Sequence, residues 1–307
     1  MNDRRKDHIR KAQDLLKESQ SKAEKGSFAY QLESSSLKSH IDELETYEAL
    51  EAIGRTYELV DFRMIASKFQ SGSVPLNILA KAAEDIRKMI GYSALRFIHG
   101  GISRKRVPSS LYEELDLRLA GVLPGSSRLL IAAAAHRDLF DDGVAKHAIQ
   151  RIMGVLETEG RGASFLESVA DLGPSSAKSL REFLKILRAN DGALELTWKY
   201  AGQDVKRWEA SRETINNVTA ALEHTELREK EKRLLHGKIE MLSKRERLQL
   251  RTTDGEIVRV LFPKRLFADV AELHLDQEVS LFCQVTVSEN PHTNEISQHY
   301  ELLEVRS

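Results

Sequence analysis

The residues best placed by type and spacing to do chemistry are His136-Arg137-Asp138-Leu139, followed by Asp141 and Asp142. An Asp after a His-Arg pair can take a proton from a hydroxyl during phosphoryl transfer, provided that an Asn five residues on holds a metal ion. Position 143 is Gly instead. The chain also has no Gly-rich phosphate loop, no lysine strand signature and no Asp-Phe-Gly, so kinase chemistry is set aside. The same acids suit the helix expected just after them, where carboxylates cap backbone N–H groups and meet the positive end of the helix dipole.

Other candidates are equally sparse. His136 and His147 stand eleven residues apart with carboxylates between them, which is no zinc spacing, and no Cys joins them. Cys283 alternates with Val279, Leu281, Val285 and Val287, so it is expected to point into a core, where a thiol is inert. Gly125-Ser126-Ser127 is too short for a phosphate loop and reads as a turn. His99-Gly100-Gly101 with Arg104, Lys105 and Arg106 reads as a surface loop, or as an anion contact shared with the C-terminal domain. No catalytic residue, metal or cofactor is expected.

Composition bounds the partners. Lys and Arg number 46 against 47 acids, a net charge of −1, which excludes a histone-like polyanion binder but not a local basic face. One cysteine, Cys283, allows no intrachain disulfide and fits a reducing cytoplasm. The charged start Met1-Asn2-Asp3-Arg4-Arg5-Lys6 is no secretory signal, and no apolar run is long enough to span a membrane.

The elements that would position these residues follow from periodicity. Residues 1–55 read as a helical arm, basic over its first 25 positions and with a stripe at Ile41, Leu44, Tyr47, Leu50 and Ile53. Residues 56–203 read as an α+β domain. Val60, Phe62 and Met64 alternate as a half-buried strand, and Pro75 opens an amphipathic helix that ends at Gly100-Gly101. A hairpin is expected over Leu115 to Ala133, then a helix from about Val144 to Thr158. Ser164 and Glu167 suggest a capping box for a helix stopping at Gly173-Pro174. A helix from Ser175 to Ala189 and a strand over Leu194, Leu196 and Trp198 complete this part. Residues 204–236 read as a charged connecting helix carrying Trp208, Ile215, Val218 and Leu222.

Residues 237–307 read as strand, strand, strand, helix, strand, strand. The strands are Gly237–Leu242, Glu246–Thr252, Glu256–Phe262, Gln277–Val287 and Glu295–Val305, with a helix from Pro263 to His274. This order resembles the five-stranded OB-fold β-barrel, and the resemblance implies a binding surface on the second and third strands. Gly255 in the left-handed region would pair Leu250 with Val258 and Leu248 with Val260, burying all four. Arg247, Gln249, Arg251, Ile257, Arg259 and Leu261 then face outward, beside Lys244 and Arg245. The segment carries nine basic against twelve acidic residues, so this basic face would stand on an acidic domain.

The expectation is a cytoplasmic, non-enzymatic binding or adaptor protein that contacts a protein partner or itself. A second reading is nucleic-acid binding through Lys244, Arg245, Arg247, Arg251 and Arg259, joined by Arg104, Lys105 and Arg106. The face lacks stacking aromatics, which weighs against single strands. A third reading is an enzyme assembled from scattered acids and histidines; the chain's general look resembles bacterial proteins found beside defence or toxin genes.

Overall fold

A computed structural model describes residues 9–18, 34–38, 41, 57–67, 69, 73–101, 106–122, 127–135, 143–200, 203–243, 246–291 and 294–306. Most of the 1–55 arm, the His136–Asp142 segment and Arg104, Lys105, Lys244 and Arg245 lie outside them. The described elements form an α+β protein with two sheets. Among the described residues no helix is long and apolar enough to cross a membrane.

The first sheet is antiparallel and centred on β1 (Tyr57–Ile65). On one side lie β3 (Ser127–Ala134) and β2 (Arg118–Val122), and on the other β4 (Ala193–Tyr200) and β5 (Gln203–Ala210). Val60, Phe62 and Met64 point into the main core and meet a helical layer, with Phe62 edge-on to Phe183 at 5.7 Å. That layer comprises α1 (Leu76–His99), α3 (Val144–Glu157), α4 (Gly162–Leu172), α5 (Pro174–Ala189) and α6 (Arg212–His224). A short α2 (Ser109–Leu115) leads into β2.

Several expectations change here. β1 is not half-buried: its opposite face carries a second cluster of Leu59, Leu130 and Ala132, and Asp61 beside it is only 3% exposed. The Asp61 carboxylate is held by Arg128, whose Nε donates at 3.2 Å. The hairpin begins at Arg118, because Leu115 ends α2. No capping box forms on α4; its N-cap is Arg161, without a side-chain cap. Likewise α3 starts from Gly143, with no acid as its cap. Pro75 is the N-cap of α1, one position earlier than expected.

The connecting helix of 204–236 is a strand, a helix and a strand. Trp208 sits on β5 opposite Leu196, and exposed Val205, Arg207 and Glu209 alternate with buried Trp208 and Ala210. Ser211 caps α6, its Oγ accepting from the Thr214 N–H at 3.1 Å. The charged run then enters β6 (Glu226–Ser243), whose alternating cations and acids decorate an extended strand.

β6 opens the second sheet, with β7 (Arg247–Thr252), β8 (Ile257–Leu261), β9 (Glu278–Asn290) and β10 (Glu295–Arg306). These strands close on themselves in the order β10-β8-β7-β6-β9. The predicted register holds: Leu250 faces Val258, Leu248 faces Val260, and Gly255 has φ +86°. The expected Pro263–His274 helix is shorter, a 3-10 turn at Lys264–Leu266 and α7 (Phe267–Ala271). Cys283 lies in the barrel core, as its alternation requires.

Candidate partner-binding groove

The site begins where the barrel meets the helical layer. Helix α4 lies along β9 and β10, and its Glu167 and Asp171, four residues apart, share one face of the helix. Arg259 on β8 donates to Glu167 at 3.2 Å, and Arg247 on β7 donates to Asp171 at 3.0 Å. His299 on β10 stands 3.8 Å from Asp171. Burial pushes the His299 pKa below the usual imidazole value, although Asp171 and Glu167 pull the other way.

Two further contacts fix this arrangement. Arg96, at the end of α1, donates from Nε to the Asp171 carbonyl at 3.0 Å and pairs with Glu301 of β10 at 3.2 Å. The Gly101 N–H also donates to Glu301. In the turn between β6 and β7, Glu246 is 4% exposed, adopts a left-handed backbone at φ +60°, and reaches both Arg151 and His147 of α3. Its burial favours the neutral acid, but Arg151 and His147 outweigh that and hold the carboxyl below its usual pKa. His147 stacks on Phe97 at 4.3 Å. Phe267 packs against both cores, edge-on to Phe97 and to Phe262. The barrel and the first domain therefore share one wall of apolar and ionic contacts.

Over that wall lies a groove of about 630 Å³, lined by β7, β8 and β10 and bounded by Glu167 and Asp171. Its floor carries Arg247, Gln249, Arg259, Ser297, Gln298 and His299. Ile257 and Ile296 project into it at 51% and 65% exposure. Tyr300 is the one aromatic among the described lining residues.

The expected basic face is divided. Arg247 and Arg259 line this groove, whereas Arg251 lines a separate cavity of about 770 Å³ at the α7 side of the barrel and pairs with Glu240. Arg106 is exposed in the first domain, ahead of α2. Arg233, also at the groove, pairs with Glu231. Each of Arg233, Arg247, Arg251 and Arg259 thus has a carboxylate of the chain beside it. Sequence reasoning missed Glu167, Asp171, Ile296, His299 and Tyr300. The four-residue spacing of the two α4 acids was the available signal; that it faces the barrel is a tertiary fact.

Chemically, the groove can offer hydrogen bonds, two exposed apolar side chains and internally balanced charge. Among the described residues no cluster of His, Cys, Asp and Glu could hold a metal ion. Cys283 is no nucleophile, since burial pushes its thiol pKa up to about 12. No protein-family model, no curated protein and no solved structure matches the chain.

Proposed function

We propose that this is a non-enzymatic binding protein of the cytoplasm that engages a protein partner through the groove on its barrel. The observation that carries the reading is the balanced charge of a groove with exposed isoleucines. Arg247 and Arg259 are neutralised by Asp171 and Glu167, while Ile257 and Ile296 stay open to solvent. Apolar side chains rimmed by polar groups suit a protein surface. A polyanion would have to displace carboxylates already in place, and Tyr300 alone gives little stacking surface.

The strand order, the parallel β8–β10 contact and the helix between the third and fourth strands support an OB-like identity for the barrel. Ligands of that fold lie across its second and third strands, here β7 and β8.

The test is to isolate partners from the source cell's extract and measure binding of a purified one by calorimetry. Ile257→Glu is expected to weaken binding by about tenfold or more, the cost of placing a charge against an apolar contact. An unchanged affinity would overturn the reading. Tight single-stranded DNA binding that falls steeply with salt and vanishes in an Arg247→Ala, Arg259→Ala variant would replace it with nucleic-acid binding.

A further inference from the structure

The two strands that bound the groove meet only briefly. β8 and β10 run parallel and pair at Tyr300 with Val260 and at Glu301 with Leu261. Before that contact they part. Ile257, Val258 and Arg259 pair with β7 but not with β10, and Ile296 to His299 pair with β9 but not with β8. The groove is lined by these consecutive residues of both strands, as a gap between two strand edges must be.

We propose that an extended polypeptide segment of a partner protein inserts between β8 and β10 as an additional strand. The idea rests on the reading of the groove as a protein site and adds its mode of recognition. Strand edges carry unpaired N–H and C=O groups, and adding a strand satisfies them. The size fits: at ~3.3 Å rise, ~4.8 Å strand spacing and ~10 Å sheet thickness, a strand residue fills about 160 Å³, so about 630 Å³ holds roughly four residues.

The lining also sets the occupant's chemistry. Leu302 and Val260 lie in the barrel core, so alternation places Tyr300, Gln298 and Ile296 of β10, and Val258 of β8, on the inner side of the gap. Arg259 and His299 fall on the outer side, facing Glu167 and Asp171. A strand in the gap therefore presents alternate residues to a side that is apolar apart from Gln298, and to a charge-balanced polar side on which Ile257 is an apolar exception. The complementary segment is uncharged overall and alternates apolar residues with polar ones such as Thr or Ser.

The experiment uses the full chain and capped peptides that alternate Val, Ile or Leu with Thr or Ser. Amide hydrogen exchange is followed with and without peptide. Binding is expected to protect amides within Ile257 to Arg259 and Ile296 to His299 together. N-methylation of one alternate set of peptide amides is expected to abolish it, and Ile296→Glu to weaken it about tenfold or more. Ile296 is mostly exposed, so this variant keeps the fold. Absence of protection, or binding indifferent to backbone methylation, would overturn the proposal. So would concentration-dependent protection without peptide, which would assign the gap to a second copy of this chain. If peptides fail while a purified partner still binds and Ile257→Glu releases it, strand insertion is wrong and the protein-binding reading stands.

Discussion

Replacing Glu246 tests the joint between the two halves of the molecule. Its carboxylate lies between Arg151 and His147, whose side chains are 14% and 7% exposed. Glu246→Gln leaves the Arg151 guanidinium buried without its counter-charge, and Arg151 Nη1 already lacks a hydrogen-bond partner. Breaking such a pair from one side costs about 3–5 kcal/mol. Glu246→Gly loses the same charge but relieves a left-handed backbone worth about 1–2 kcal/mol, so it is expected to cost less than Glu246→Ala. Removing both partners, with Glu246→Gln and Arg151→Met together, is expected to recover about 2 kcal/mol or more of the loss. Urea unfolding followed by the fluorescence of Trp198 and Trp208, with circular dichroism for the barrel strands, measures these variants beside the unsubstituted protein and Arg151→Met alone, which completes the cycle. A Glu246→Gln cost below about 1 kcal/mol, or an additive double variant, would refute the reasoning. The pH dependence has a fixed sign. Because the folded carboxyl titrates below its usual value, its contribution is complete above the unfolded pKa of 4.5 and is lost as pH falls through the folded pKa.

His299 is expected to titrate below the unperturbed 6.5 in an NMR experiment; with its folded pKa lowered by burial, its contribution to stability is present above 6.5 and lost as pH falls through the folded value. Cys283 is expected to resist a thiol reagent in the native protein and to react on unfolding, since its pKa stands at about 12; rapid native labelling would contradict the burial. Gly237→Ala is expected to cost about 1–3 kcal/mol in urea unfolding, because a Cβ there would come within 2.1 Å of the Arg251 carbonyl oxygen and force β6 and β7 apart.

The barrel could be read from the sequence because local rules agree there. Period-two apolar residues, Gly255 and the Pro263 break all point one way, and the register of Leu248 and Leu250 follows from burial alone. The run from Asp204 to Arg233 misled because its charge density suits a solvated helix as well as an edge strand. Ser211 as a cap, and the alternation around Trp208, were the signals for strand, helix and strand. Arg247 and Arg259 were correctly placed on the outer face, but their partners come from α4, some 76 and 92 residues away, and no local pattern reports such a distance. Ile296 was visible only as one strand residue among others. Its exposure depends on β8 and β10 parting, which is set by how the barrel closes.

One consequence of β6 concerns how the molecule can be divided. Thr225 alone separates α6 from β6, and residues 226–236 already pair with β9. A cut at 237, where composition suggests a boundary, would strip β9 of most of its partner along that side. Moving the cut to 225 restores the strand but strands Arg247 and Arg259 without the carboxylates of α4, and uncovers Phe267. The barrel is thus not a detachable cassette. A functional transplant of it into another protein would have to carry Gly162–Leu172 along as an inseparable bracket.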